Sequence, residues 1–295
     1  MLNKKKPFIK NYVNFNDNKE KELFVKNFLI DHDLKSNFGQ GKIVRYNLEI
    51  CNFRVATALF LKKKLPFLKK INNLEDQLED LHNFLPKKFK ILEKKSETNL
   101  ITRIFYETDP FFKKTYNNFV KKILKKFFKN KIYYQITPTI RFQFPNQKTF
   151  DWNPSIHSDI MLGHPIEEIN IWVPVTDVYY DNSMVIANLK DSLKVMKDCN
   201  FNFNEFGEKI QNNKNFFKKI FKKLKSLQMS RDSFLIFDPR RLHATQKNSS
   251  QRTRISMDIR IIFRDTYKKI SKVYIGTGRR KVRFTPGNFY SSNFI

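Results

Sequence analysis

The spacing of apolar residues changes near Lys131 and divides the chain into two parts. Up to that point apolar residues recur every three or four positions, as they do along one face of a helix. Such stretches include Leu23, Phe24, Phe28 and Leu29, and later Leu74, Leu78, Leu81 and Phe84. Asp17 is a candidate helix cap, and Asp109-Pro110 marks another helix start, because proline suits the first turn. We therefore predict a mainly helical region over residues 1–131.

After Lys131 apolar and polar residues alternate, which is typical of strands with one buried face. Between Ile132 and Phe144, Thr139, Arg141 and Gln143 share one face and Ile140, Phe142 and Phe144 the other. Alternation returns over Ile169–Val175, and further strands are predicted at Met184–Ala187, Ser233–Phe237 and Thr253–Phe263. A Lys-rich helical insertion is predicted near residues 208–227. The pattern indicates an α+β protein whose part 132–295 is a two-sheet β-barrel or jelly roll.

The chain is strongly basic, with 57 Lys and Arg against 28 Asp and Glu and a formal net charge of +29. Such a charge is typical of proteins that bind nucleic acid, anionic lipid or an anionic substrate. The lysines, however, are spread along most of the chain, and Lys, Asn, Phe and Ile are all enriched, as an AT-biased genome would produce. We therefore expect no nucleic-acid partner on the basis of charge alone.

Cysteine content and hydropathy bear on the cellular location. The two cysteines, Cys51 and Cys199, are too few for a disulfide scaffold or a Cys-rich zinc site. The basic first residues lack the apolar stretch of a signal peptide, and no segment approaches 18 apolar residues. We predict a cytoplasmic protein without a membrane span.

One histidine motif carries candidate metal chemistry. Of the five histidines, only His157 is followed two residues later by a carboxylate, that of Asp159. On a strand these side chains face the same way, and His243 follows at the end of a later strand. Two histidines and one carboxylate on one face of an octahedral iron(II) leave three positions open. A 2-oxo acid can take two of them and O2 the third.

A second pattern suits the binding of a carboxylate. The segment from Lys247 to Gln251 is predicted as a turn, followed by a returning strand. If this is a hairpin centred between Asn248 and Ser249, His243 and Arg254 are cross-strand partners. Ser256 then lies beside Arg254, and the pair suits the distal carboxylate of a co-substrate.

These motifs resemble those of the StrG-type oxygenases known from streptomycin biosynthesis, relatives of the phytanoyl-CoA dioxygenase group. The resemblance rests on the residues around Tyr134–Phe142, His157–Asp159, Gly163–Pro165, Glu168–Pro174, Asn182–Met184, Arg254–Arg260 and Phe284–Gly287. It implies a double-stranded β-helix, cupin-like core that binds Fe(II) and uses 2-oxoglutarate and O2 to oxidise a small molecule, such as a sugar or sugar conjugate. It also implies that His157, Asp159 and His243 bind the metal and that Arg254 and Ser256 bind 2-oxoglutarate.

Other candidate residues allow two interpretations each. Asn170 and Trp172 could flank 2-oxoglutarate, or Trp172 could be ordinary packing. Arg141 and Gln143 could contact substrate in the cavity or lie on a solvated sheet face. His164 has no evident carboxylate partner and is expected to support the site rather than to bind metal, whereas Arg240 and Arg241 could meet an anionic substrate.

Three other functions remain open. An AlkB-like nucleic-acid demethylase is one, because Arg254 and Arg260 have the spacing of that family's paired arginines. A non-catalytic, cupin-like binding protein is the second. The third is a basic scaffold in which the histidines and the carboxylate are incidental.

Overall fold

Helices make up most of the described residues in the first part of the chain. The computed structural model describes residues 18–29, 41–91, 98–105, 109–146, 156–270 and 283–295, so the predicted cap Asp17 lies outside the described residues. The helices are α1 (Asn18–Leu29), α2 (Phe53–Lys64), α3 (Leu81–Phe84), α4 (Lys87–Lys90), α5 (Leu100–Ile104), α6 (Pro110–Asn118), α7 (Lys125–Phe128), α8 (Leu189–Asp198), α9 (Phe203–Asn212), α10 (Lys214–Phe221) and α11 (Arg264–Ile270). Short 3-10 helical segments cover Pro66–Lys70, Leu74–Asp80 and Asp159–Leu162. A π-helical turn, Phe119–Leu124, joins α6 to α7.

The strands form two antiparallel sheets. They are β1 (Lys42–Arg45), β2 (Ile132–Tyr134), β3 (Thr139–Gln143), β4 (Ile169–Pro174), β5 (Met184–Ile186), β6 (Lys225–Ser226), β7 (Ser233–Phe237), β8 (His243–Thr245) and β9 (Arg254–Phe263). The large sheet has the order β1-β7-β4-β9-β2, with β3 also paired to β9, and the small sheet has the order β6-β5-β8. This mixture of helices and antiparallel sheets confirms the α+β prediction and is consistent with a jelly-roll core.

The alternation in β4 and β9 separates an apolar face from a polar one. Ile171 is paired with Ile259, and both belong to the aromatic core formed with the N-terminal helices. Trp172, one position on, packs instead with Met184 of the small sheet. The same register puts Arg254, Ser256, Asp258 and Arg260 on the face towards the small sheet. The polar residues of β9 therefore line the space between the two sheets.

The N-terminal region contributes a strand as well as helices. β1 pairs with β7 at the edge of the large sheet, with Ile43 opposite Leu235. The predicted helix start at Asp109 is confirmed, because its side chain accepts a hydrogen bond from the Phe112 N–H at 2.8 Å. No helix among the described residues combines the length and the apolar character needed to cross a membrane.

A helical layer covers the outer face of the small sheet. Helices α8, α9 and α10 are capped by Asn188, Asn202 and Asn213, whose side chains accept N–H bonds from the first turn. Their apolar faces pack against Val185 and Ala244 of the sheet. The helical segment that contains the predicted insertion near residues 208–227 begins at Leu189 and ends at Phe221, and Lys225–Ser226 then form β6.

The predicted hairpin between His243 and Arg254 is wrong. β8 pairs with β5 in the small sheet, whereas β9 pairs with β4, β3 and β2 in the large sheet. The connection crosses between the sheets, and Asn248 stabilises the crossing by donating to the Gln143 and Arg252 carbonyls. His243 and Arg254 therefore belong to facing sheets and are not neighbours in one ladder.

Candidate metal centre

The backbone holds His157 and His243 side by side. Each N–H donates to the carbonyl of the other, at 3.1 Å and 2.8 Å, which extends the small sheet by one bridge. The centroids of the two imidazole rings are 4.5 Å apart. The sequence pattern is compatible with a strand at His157, and the structure places His157 in a single bridge with His243.

Asp159 reaches the same point from a turn rather than from a strand. Ser158 is extended, and Asp159 then begins the 3-10 segment that ends at Gly163, whose φ of +87° favours glycine. The Nε2 atoms of His157 and His243 lie 3.8 Å and 3.6 Å from Asp159 Oδ1. The candidate ligand atoms of the three residues all lie within 4.8 Å of one another.

The two oxygens of the Asp159 carboxylate have different surroundings. Oδ2 accepts from Asn170 Nδ2 at 2.8 Å and from Arg260 Nε and Nη2 at 3.1 Å and 2.9 Å. Oδ1 is buried without a hydrogen-bond partner among the described residues. Burial alone raises the pKa of Asp159, but Arg260 and the neighbouring histidines outweigh burial and hold that pKa well below its usual range. Oδ1 of the charged carboxylate is therefore able to bind a cation.

The His243 ring is oriented by a backbone carbonyl. Its Nδ1 lies 3.0 Å from the Arg241 carbonyl oxygen, which accepts only if Nδ1 carries the proton. The lone pair then resides on Nε2, beside Asp159 Oδ1. Two imidazole nitrogens and one carboxylate oxygen on one side of a site fit a first-row divalent metal such as Fe(II) and leave coordination positions open.

A second group of possible ligands adjoins the first. Atoms of Asp159, His164 and Glu168 also lie within 4.8 Å of one another. The expectation that His164 lacks a carboxylate partner is wrong, since its Nδ1 is 2.7 Å from Glu168 Oε2. Tyr290 donates to Glu168 Oε1 at 2.5 Å. The positive charge beside these carboxylates is already that of Arg260, so we interpret this group as support for Asp159.

Arg254 and Ser256 are buried on the large sheet, facing the small one. Arg254 Nη1 donates to the Asn182 carbonyl at 3.3 Å, and its guanidinium lies 6.0 Å from the centroid of the Trp172 ring. Burial lowers the pKa of Arg254 to about 10, against the effect of Asp258, so Arg254 is charged at neutral pH. Within the described chain, Arg254 Nε and Ser256 Oγ have no hydrogen-bond partner. The donor set fits a carboxylate.

The remaining candidate residues differ in position. Asn170 bonds to Asp159, as described above, and Trp172 packs with apolar residues of both sheets. The Arg141 side chain is about half exposed, and its Nε donates to Asp258 Oδ2 at 3.1 Å. Gln143 is buried and donates to the Gln246 carbonyl.

Arg240 and Arg241, which could have met an anionic substrate, each bond to other residues of the chain. Both are buried. Arg240 Nη2 pairs with Asp238 Oδ2 at 2.7 Å, and Arg241 Nε donates to the Ala187 carbonyl at 2.6 Å. These arginines stabilise the turn that leads into β8.

Comparison with known proteins gives distant structural neighbours. No protein-family model matches the chain. No curated protein matches it either. The resemblance to the StrG-like family is not confirmed.

The solved structures similar to this chain include non-haem oxygenases. One is SnoK, a non-haem α-ketoglutarate-dependent carbocyclase from nogalamycin biosynthesis, with 11% identity, a TM-score of 0.48 and coverage of 92% of this chain and 98% of that chain. Another is the nickel complex of the non-haem monooxygenase ThoJ, with 12% identity, a TM-score of 0.38 and coverage of 78% of this chain and 77% of that chain. AviO1 from Streptomyces viridochromogenes Tue57 has 8% identity, a TM-score of 0.42 and coverage of 78% and 93%.

Proposed function

We propose that this protein is an Fe(II)- and 2-oxoglutarate-dependent oxygenase that oxidises a small molecule. The observation that carries the proposal is the buried Asp159 Oδ1, which accepts no hydrogen bond from the described residues and lies beside the Nε2 atoms of His157 and His243. A buried, charged oxygen without a donor is costly unless a cation satisfies it. His243 comes from a part of the chain distant from His157 and Asp159, and Asp159 is buried, which argues against an incidental surface cluster.

Each residue has a defined part in this proposal. His157, Asp159 and His243 hold the metal, and Arg260 and Asn170 fix the carboxylate so that one oxygen faces it. Iron(II) bound there supplies the activation of O2 that side chains cannot supply. The rest of the task, which is to bind and orient the co-substrate and to exclude water, belongs to the protein.

Arg254 and Ser256 are proposed to bind the distal carboxylate of 2-oxoglutarate. A guanidinium offers a fork of donors that matches a carboxylate, and burial strengthens the interaction. Trp172 packs beside this ion pair and shields it from water. Asn170, in contrast, is assigned to Asp159 rather than to the co-substrate, because its Nδ2 already bonds there.

Substrate contacts are proposed at the open edge of the large sheet. Arg141 and Gln143 lie on β3, on the same face as Ser256 and Arg254, to which they are paired. The half-exposed Arg141 is positioned to meet a polar substrate such as a sugar. We further propose that residues 132–295 form a double-stranded β-helix and that the mainly helical residues 1–131 pack on it.

The test is a calorimetric titration of the metal-free protein with Fe(II) under anaerobic conditions, followed by addition of 2-oxoglutarate. We expect one equivalent of iron to bind and a weak visible charge-transfer band to appear with the co-substrate. Asp159→Ala should abolish both signals. His82→Ala is the matched control, because His82 bonds to Thr253, outside the metal centre. If the wild-type protein binds no iron and gives no band, the proposal is wrong.

A further inference from the structure

Asn182 has a buried side-chain donor that no described residue accepts. It ends the turn that leads from β4 into β5, and its Oδ1 accepts from the Tyr179 N–H at 2.7 Å. Its own N–H donates to the Tyr179 carbonyl at 3.1 Å. The side chain is fully buried, yet Nδ2 has no hydrogen-bond partner among the described residues. The turn therefore fixes the amide through its oxygen and leaves its nitrogen available.

The unused donor belongs to a residue in contact with Arg254. Arg254 Nη1 reaches the Asn182 carbonyl at 3.3 Å, so the two residues are neighbours across the interior. Ser256 follows Arg254 on the same face of β9. Three buried atoms able to donate hydrogen bonds, Arg254 Nε, Ser256 Oγ and Asn182 Nδ2, thus lie on adjoining residues, and none has a partner in the part of the chain that the structure describes.

The chemistry of these donors indicates the kind of group they accept. Native interiors rarely leave buried donors unpaired, and one ligand that satisfies several at once must carry several lone pairs. A carboxylate has about four lone-pair sites and a charge that complements Arg254. The nearby carboxylate of Asp258 is engaged elsewhere, because its Oδ2 accepts from Arg141 Nε. The missing acceptor is therefore expected from outside the described part of the chain.

We infer that Asn182 is a further binding residue for the co-substrate, and that its Nδ2 donates to the distal carboxylate held by Arg254 and Ser256. This inference rests on the proposed function. It assigns Asn182 a contact with the ligand in addition to its part in the turn. The two roles use different atoms of the same amide, so substitutions can separate them.

Two substitutions at this position distinguish ligand binding from a structural role. Asn182→Asp keeps an oxygen for the Tyr179 N–H and replaces the donor by a negative charge. Asn182→Ala removes both. If the role is structural only, the Asn182→Asp variant should bind 2-oxoglutarate better than the Asn182→Ala variant, because it preserves the turn. If Nδ2 contacts the carboxylate, the Asn182→Asp variant should bind worse, because two anions then meet beside one arginine.

The measurement is the dissociation constant of 2-oxoglutarate for the Fe(II)-loaded protein, by anaerobic calorimetry. We expect Asn182→Ala to raise this constant about tenfold, the worth of one hydrogen bond to a charged group. Asn182→Asp should raise it by about a hundredfold or more, since a donor is lost and a repulsion is added. Iron affinity should stay as in the wild type, because neither change touches a metal ligand.

Asn188→Asp is the matched control. Asn188 caps α8 on the exterior, so the same change of charge there should leave the co-substrate constant unaltered. Wild-type binding of 2-oxoglutarate with equal constants for both Asn182 variants would overturn the inference and leave the proposed function intact, and so would a weaker effect of Asn182→Asp than of Asn182→Ala. A wild-type protein that binds iron but no 2-oxoglutarate would overturn both.

Discussion

At the scale of single residues, the proposed metal centre depends on the different surroundings of the two carboxylate oxygens of Asp159. Three hydrogen bonds, from Arg260 and Asn170, act on Asp159 Oδ2, and none acts on Oδ1 within the described chain. A carboxylate held in this way presents one oxygen in a fixed direction. Partners of metal ligands commonly matter almost as much as the ligands themselves.

Arg260→Ala should therefore weaken iron binding without removing a ligand. We expect the Fe(II) dissociation constant to rise by about 10- to 100-fold, since Asp159 loses both its orientation and its charge partner. Anaerobic calorimetry measures the change. The matched control is Arg264→Ala, which removes a guanidinium packed on Phe294, outside the centre. An unchanged iron affinity in Arg260→Ala would contradict the assigned role.

Arg254→Ala should affect the co-substrate and not the metal. The apparent KM for 2-oxoglutarate should rise by about one to two orders of magnitude, because a charge-assisted contact is worth about 1.5–3 kcal/mol. Succinate formation at varied 2-oxoglutarate concentrations checks this.

Arg252→Ala serves as the control for Arg254→Ala. Arg252 packs over the exposed Tyr179 ring, 5.3 Å from its centroid, and its loss should be mild. If Arg252→Ala weakened 2-oxoglutarate binding more than Arg254→Ala does, the assignment of Arg254 to the co-substrate would be wrong.

At the scale of elements, strand patterns were predictable and strand partners were not. The alternation of β4 and β9 identifies their apolar faces, because burial on one face leaves a period of two. Nothing in the turn around Asn248 reveals that the chain changes sheet there, so the hairpin prediction failed. A local pattern reports the faces of one strand, whereas pairing depends on the path of the whole chain.

The same limit applies to the site. The motif His157-Ser158-Asp159 and the pair Arg254 and Ser256 could be selected from sequence by residue type and spacing. The partnership of Glu168 with His164 has a weak signal, a separation of four residues. The contact of Asn182 with Arg254 has none, because 72 positions separate them and only the facing of the two sheets joins them.

One ion pair connects the N-terminal helices to the strands that carry the site. Arg54 on α2 binds both oxygens of Glu79 at 2.7 Å and 2.8 Å, and Arg54 Nη1 also reaches the Val175 carbonyl. The Glu79 carbonyl accepts from the Thr253 N–H at 2.6 Å, immediately before β9. This pair is therefore placed to stabilise the docking of the helices.

Glu79→Gln should lower the free energy of unfolding by about 3 kcal/mol, because it leaves the buried Arg54 without its counter-charge. Burial raises the pKa of Glu79, but Arg54 outweighs burial and lowers it below the ordinary 4.5. The stabilisation is therefore complete above the pKa of the unfolded chain and is lost as the pH falls through the lower folded pKa.

Urea unfolding of wild type and Glu79→Gln, at neutral pH and below pH 4.5, measures both effects. The difference between them should shrink in acid. Glu205→Gln is the control, since the Glu205–Lys209 pair is exposed and should contribute little at either pH. A difference between wild type and Glu79→Gln that grows in acid would refute the assignment.

At the scale of the whole molecule, the net charge of +29 calls for a test of its own. Because the lysines are spread along the chain, we expect feeble binding to nonspecific DNA at physiological salt. The logarithm of the binding constant should fall with salt by a slope of only a few counterions. Electrophoretic mobility shifts with duplex and single-stranded DNA at several salt concentrations measure this. Tight binding with a steep slope would favour the AlkB-like alternative.

The position of Trp172 gives the protein an internal optical reporter. Its indole lies beside the Arg254 guanidinium on one side and packs with apolar residues of both sheets on the other. The emission of an indole responds to nearby charge, so neutralisation of Arg254 by an anion should alter the fluorescence. The chain has one other tryptophan, Trp152. A Trp152→Phe variant would therefore carry a single indole fluorophore next to the proposed co-substrate pocket, and ligand entry could be followed by stopped flow without any label.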